Sequence, residues 1–266
     1  MDLTPLKLNV DILGHGPVLD LGNGLSLTPE EVIAFSSMMT YKDKSAKEMA
    51  LDIINSGKDI KAAAIKSLKG SAKRGHASLS TSAGIWCLVS GVSKFFDSLF
   101  TGAIYSSSLM PSSRRIPISL ENIVAPDGII NASNEAKQLY HGVSSENIRF
   151  YMEIEDKLVK REDAAKITQY GIAGGGFIQV QLETLLAYQK EFEIEKEFIP
   201  KEGPDFVNHL KSKLSSIGMS TLYDFREHAQ RGTLPYPNLF KDPKKKNIID
   251  TVRVCNKSFI NKNSKK

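Results

Sequence analysis

The chain of 266 residues is 41% hydrophobic and 24% charged, with a formal net charge of +5, the balance of an ordinary soluble protein of one large domain or two small ones. No apolar run approaches the roughly 20 residues that cross a bilayer as a helix, and the opening MDLTPLKLNVD lacks the basic start and apolar stretch of a signal peptide. Two cysteines, Cys87 and Cys255, give neither a disulfide framework nor a metal pair, which suits a reducing cytoplasm.

Glycines and prolines up to Gly24 predict an irregular, partly extended lead-in. Thr28-Pro29-Glu30-Glu31 then begins a helix: Thr28 caps it, Pro29 takes the first helical position and Glu31 completes a capping box. Ser45 with Glu48 repeats the device, and Gly57 ends that helix. Asp59 opens a third helix that stops at Gly70. Ile85 to Val92, apolar and fenced by Gly84 and Gly91, predicts a buried strand. Ser93 to Phe100 reads as a helix with Phe96, Leu99 and Phe100 on one face. Ile104 to Met110 reads as a second strand that Pro111 must end. A helical pattern runs from Ser133 to about Lys166, with breaks expected near Gly142 and Lys160. Gly174-Gly175-Gly176 predicts a turn before a helix over 177–190, and further helices are expected near 204–217 and 220–231. Long helices around few strands predict an α+β fold with a small central sheet. Residues 1–240 are taken as one domain. Residues 241–266 hold nine Lys/Arg against two Asp, a charge of +7 that leaves the rest near −2. This basic tail reads as a solvated end. Nucleic acid is not expected there, because Phe259 is its only aromatic for base stacking.

Five serines between Ser106 and Ser113 precede Arg114 and Arg115. Small hydroxyls beside a guanidinium suit a phosphate or carboxylate. Adjacent residues on an extended segment point to opposite faces, so one arginine of the pair is expected to face a site. His76, between Gly75 and Ala77, leaves room for a ligand, and reads equally well as a surface or capping histidine. Ser78 and Thr81 could meet phosphate oxygens or form local turns. The run Gly171 to Gly176 lacks the Lys-Ser/Thr of a nucleotide loop and reads as a flexible helix entry. Glu183, Glu191, Glu193, Glu195 and Glu197 read as a solvated helix face. His141, His209 and His228 lack metal-ligand spacing, and no G-x-S-x-G nucleophile signature is present.

Several pieces in order carry a resemblance: the helix from Pro29 to Thr40, the G-H-x-S element at Gly75–Ser78, the strand and helix ending at Phe100, the Ser-x-Arg-Arg element at Ser112–Arg115, and D-A…G…L-x-T-L from Asp163 to Leu185. Together they resemble the flavin-dependent thymidylate synthases. The resemblance implies methylation of dUMP to dTMP with FAD, NADPH and methylene-tetrahydrofolate, at sites built where subunits meet. It places His76, Ser78, Thr81, Tyr105 and Gln181 on the flavin side. It places Ser112, Ser113, Arg114 and Arg115 at the phosphate end of dUMP or a related nucleotide.

The chain departs from the family pattern in one direction. The Arg-His-Arg triplet falls on Gly102-Ala103-Ile104, the acidic position on Met110, and later Arg, Asn and Arg positions on Ala165, Gln181 and Glu183. Each lost charge-assisted phosphate bond costs on the order of 1.5–3 kcal/mol. The expectation is therefore a degenerate member: a subunit with depleted flavin ligands that works as a homo-oligomer or with an intact paralogue. The alternative is a scaffold or nucleotide-binding subunit that kept the fold and lost the reaction.

Overall fold

The computed structural model describes residues 3–229 except 73–75, 102, 104–105, 113–115, 158, 169 and 195–198. Four strands open the chain: β1 (Thr4–Pro5), β2 (Asn9–Gly16), β3 (Leu19–Gly22) and β4 (Leu25–Leu27). Four helices follow, α1 (Pro29–Met38), α2 (Ala46–Asn55), α3 (Ile60–Ser71) and α4 (Ala77–Thr81). Next come β5 (Gly84–Ser93), α5 (Lys94–Phe100), β6 (Ser106–Leu109), β7 (Val124–Ala125), α6 (Asp127–Ile130), α7 (Asn134–Asp156) and α8 (Arg161–Ala164). The described chain closes with β8 (Ala173–Gln181), α9 (Leu182–Ile194), α10 (Glu202–Lys213) and α11 (Ser220–Glu227). The fold is mixed α and β, as expected. Among the described residues no helix is long and apolar enough to cross a membrane.

The chain divides into two compact units. The first joins Met1–Gly14, Ile85–Val180 and Phe192–Ser212. Its centre is a four-stranded sheet in the order β2-β5-β8-β6. β5 alternates cleanly, with Ile85, Cys87 and Val89 buried and Leu88 and Ser90 exposed, the pattern of a strand with one face on a core. Phe96 and Phe100 of α5 meet Phe206 of α10 with ring centroids 5.4 and 4.9 Å away, edge-on arrangements that add about 0.5–1.5 kcal/mol each to their burial. α7 seals a second cluster, in which Ile148 and Tyr151 pack with Ile118, Ile123, Ala164 and Ile172.

The second unit joins His15–Gly84, Gln181–Glu191 and the chain from Lys213. α1 and α2 begin where the capping signals put them. The Glu31 carboxylate accepts from the Thr28 amide at 2.8 Å and Glu48 from the Ser45 amide at 2.7 Å. Glu30, buried in α1, accepts from the Thr221 amide at 2.9 Å and its hydroxyl at 3.1 Å. One glutamate thereby ties the start of α11 to α1.

Three expectations are corrected. The lead-in is not irregular: β2 turns Val10 inward between exposed Asn9 and Asp11, and β3 and β4 pair through a turn in which Asn23 adopts φ +56°. Gly22 and Gly24, at φ +93° and +77°, serve with Asn23 a hairpin rather than a coil. α7 is not interrupted at Gly142. A Cβ there would meet nothing within 4 Å, so the glycine costs about 1 kcal/mol of helix propensity, which the packing of Ile148 and Tyr151 outweighs. The third correction concerns Gly174, Gly175 and Gly176, which lie inside β8 and not in a turn. A Cβ on them would stand 2.4 Å from the Ser93 carbonyl oxygen, 2.3 Å from that of Val89 and 2.4 Å from that of Leu109. β8 is flanked by β5 and β6, and the glycines let the backbones approach that closely.

Two substitutions separate these roles. Gly142→Ala is expected to raise stability by about 0.5–1 kcal/mol. Gly175→Ala, at φ +103° with no room for a Cβ, is expected to lower it by about 1–3 kcal/mol or more. Urea denaturation of both variants checks the pair.

Candidate functional site

Within the second unit, α4 stands directly before β5 and is anchored by its own hydroxyls. Ser80 is fully buried and donates to Oε2 of Glu183. Arg226 of α11 donates from Nη2 to Oε1 of the same carboxylate at 2.7 Å. Glu183 and Arg226 are 0% and 1% exposed, so this is an ion pair removed from water. The Leu182 amide donates to the Ala83 carbonyl at 2.9 Å, closing the junction between α4 and the start of α9. Around it, the Tyr223 hydroxyl donates to Oε1 of Gln189, and Gln189 donates to Glu227 at 2.7 Å.

Glu183 was expected on a solvated helix face, and that reading is wrong. Its α-helical spacing from Glu191 describes a surface only if no cation waits inside, and Arg226, forty-three residues on, is that cation. The consequence for a ligand is also changed. A carboxylate neutralised at 2.7 Å repels a phosphate far less than a free one. Among the described residues of this junction, the Arg226 guanidinium is already engaged by Glu183.

The predicted flavin-side residues sort accordingly. His76 is the N-cap of α4, exposed and without a side-chain capping bond. Ser78 is exposed, and its carbonyl accepts from the hydroxyls of Thr81 at 3.3 Å and Ser82 at 2.7 Å. The hydroxyl of Thr81 is thus turned onto its own helix, the local-turn alternative. Gln181 ends β8, and its Oε1 is buried without a hydrogen-bond partner. The chain link through Leu182 to Ala83 brings Gln181 and α4 to one junction. Tyr105 lies outside the described residues. As a seat for FAD the set is incomplete. Gln181 Oε1 offers one acceptor to a ring N–H, but the Thr81 hydroxyl is engaged locally, α4 has five residues, and the buried guanidinium is neutralised by Glu183. These residues do not fit the flavin diphosphate by themselves.

Of the predicted nucleotide end, Ser112 is described and lies in the first unit; Ser113, Arg114 and Arg115 lie outside the described residues. The loop before Ser112 is pinned by a cation that the sequence reading passed over. Lys94 donates to the Pro111 carbonyl at 2.7 Å and to Oδ2 of Asp97 at 2.8 Å. Asp97, 4% exposed, accepts from the Gly175 amide at 2.7 Å through its other oxygen. A lysine ammonium has three donors, and the side chain of Lys94 keeps 27% exposure. Lys94 is therefore a partly solvated positive charge one residue from Ser112. The available signal was the position of Lys94 in the first turn of a helix three residues before an aspartate, a pairing that helical geometry brings together.

Other groups carry no obvious chemistry. Burial pushes the Cys87 thiol up to about 12, so it stays protonated and unreactive at neutral pH. Among the described residues no group of three His, Cys, Asp or Glu could hold a metal ion. Each unit has a half-open cavity, about 270 Å³ beside Thr28 and Lys61 in the second and about 280 Å³ beside Gly91 and Lys201 in the first. Neither is lined by a predicted site residue.

With this geometry in place, comparison with solved structures gives a clear match of fold. The chain is folded like a UMP/dUMP methylase. That protein, PolB from Streptomyces cacaoi, superposes in its complex with 5-Br dUMP with a TM-score of 0.59, covering 85% of this chain and 96% of that chain at 10% identity. Its complex with 5-Br UMP gives a TM-score of 0.56, covering 85% and 98% at 8% identity. At such identities the likeness is one of fold alone. No protein-family profile and no curated protein matches the sequence.

The ion pair predicts an asymmetric response to mutation. Arg226→Met should leave Glu183 charged and buried, and cost about 3–5 kcal/mol. Adding Glu183→Leu should restore much of that loss, because a matched apolar pair removes both desolvation penalties. Thermal and urea unfolding of the single and double variants measures the difference.

Proposed function

We propose that the chain is a uridylate-binding protein that works in UMP/dUMP-type methylation. The observation that carries this reading is the fold match to a UMP/dUMP methylase over 85% of this chain and 96% of that one. In this reading Ser112, Ser113 and Arg114, with Lys94 beside them, hold the nucleotide phosphate. FAD, NADPH and methylene-tetrahydrofolate act at a site that another subunit completes, since the described residues at α4 and Gln181 do not fit a flavin diphosphate. His76, Ser78, Thr81, Tyr105 and Gln181 then form one wall of that shared site.

One observation favours a second reading, a nucleotide-binding subunit without a reaction of its own. The position where the resembled family has a phosphate-meeting arginine carries Glu183, and that carboxylate is closed inward onto Arg226 and Ser80. The two readings share nucleotide binding and differ over product.

Calorimetric titration with dUMP and UMP tests the shared part. Binding is expected, and Lys94→Ala and Arg114→Ala should each weaken it by about 1.5–3 kcal/mol, roughly tenfold or more; Arg114→Ala should leave the melting temperature unchanged, whereas Lys94→Ala should also lower it, because the buried Asp97 loses its cation. Absence of binding for both nucleotides overturns the proposal. An assay for methylated product with FAD, folate and reductant, with and without a partner subunit, then separates the readings.

A further inference from the structure

The outward face of α7 and the charge of the C-terminal residues are absorbed by nothing above. The helix is 23 residues long, and its core side buries Ser144, Ser145, Ile148 and Tyr151. On the opposite side Leu139, Val143 and Phe150 are 69%, 50% and 48% exposed. Steps of four and seven residues place them on one helical stripe. Single apolar residues on a surface need no explanation, but large ones aligned opposite the core mark a contact surface. Glu135, Glu146 and Glu153 run beside the stripe, all exposed, and Arg149 stands 3.7 Å from Glu146. The border is therefore acidic overall. Two copies of α7 packed antiparallel would bring like borders together, and an anionic membrane surface would repel them.

The sequence contains a segment of the complementary kind. Residues Lys244 to Lys262 hold six Lys/Arg against Asp250 and place Ile248, Val252, Cys255 and Phe259 at i, i+4, i+7 and i+11. Wound as a helix, that spacing would align them in one apolar stripe, matched in steps of four and seven by Leu139, Val143 and Phe150. We propose that this basic segment of a second copy docks along the α7 stripe, and that the exchange is reciprocal. One such contact alone falls well short of the ~800 Å² per partner of a stable interface. Reciprocity supplies two, and once the first forms the second is intramolecular, with an effective concentration in the millimolar range.

The full-length chain tests this directly. Sedimentation analysis at micromolar concentration should show a dimer that weakens as salt rises. Leu139→Asp combined with Val143→Asp should weaken it at least tenfold while leaving the melting temperature unchanged; a monomeric wild type, or a dimer indifferent to this variant, overturns the proposal. Glu146→Cys, oxidised in a mixture of isotopically light and heavy chains, should give disulfides to Cys255 that join light to heavy. Linkage confined to single chains would also overturn it, by making the contact internal.

Discussion

A carboxylate and a guanidinium with no access to water fix the junction of α4, α9 and α11. Moving either ion into a protein interior costs several kcal/mol even after relaxation, and the loss is recovered only while the two remain in contact. Glu183 has its partner at 2.7 Å and the Ser80 hydroxyl on its other oxygen. The junction therefore tolerates little displacement. Every residue assigned to the flavin side that the structure describes hangs on it: His76, Ser78 and Thr81 through α4, and Gln181 through the bond from Leu182 to Ala83. The junction is held by electrostatics turned inward, so the charge of Arg226 is directed to Glu183 rather than outward.

The first unit uses a buried carboxylate differently. Asp97 holds the Gly175 amide of β8 and the Lys94 ammonium, and Lys94 reaches on to the carbonyl preceding Ser112. The glycines make this possible, since a Cβ at Gly174 would stand 2.9 Å from the same carboxylate oxygen. A strand without side chains, a helix start and a serine-rich loop are thus one mechanical piece. Its cation stays partly solvated, unlike Arg226, so it remains able to attract an anion. The two units show a carboxylate–cation pair at different burial, one closed into the framework and one left partly solvated.

Much of the frame was legible in the sequence because it rests on local rules. Thr28 with Glu31 and Ser45 with Glu48 announce helices by satisfying backbone donors within three residues. The apolar alternation of β5 and the helix behind it are equally short-range. What failed was non-local. Glycines punctuate loops in most sequences, and nothing within Gly174–Gly176 reveals that flanking strands approach to distances only glycine allows. Glu183 reads as surface until Arg226 folds back from α11. Of the candidate site, the meeting of α4 and Gln181 at one junction depends on the non-local bond from Leu182 to Ala83, and the hold of Lys94 on the Pro111 carbonyl seventeen residues on is equally non-local. The arginine pair and Tyr105 lie outside the described residues.

Charge inversion at a ligand-facing position is usually taken as repulsion of the former ligand, and here that inference needs its partner term. At an effective dielectric near 20, an isolated carboxylate some 4 Å from a phosphate charge opposes it by about 4 kcal/mol. A neutralised pair acts instead as a dipole whose field falls off faster with distance. The loss that separates Glu183 from an arginine is then chiefly the missing attraction, on the order of 1.5–3 kcal/mol per charge-assisted bond, rather than attraction and repulsion together. A deficit of that size is no more than the contribution of a single charge-assisted bond. Fold likeness at 10% identity is compatible with such a loss, because the core pattern that sets the fold and the charges that set the ligand are carried by different residues.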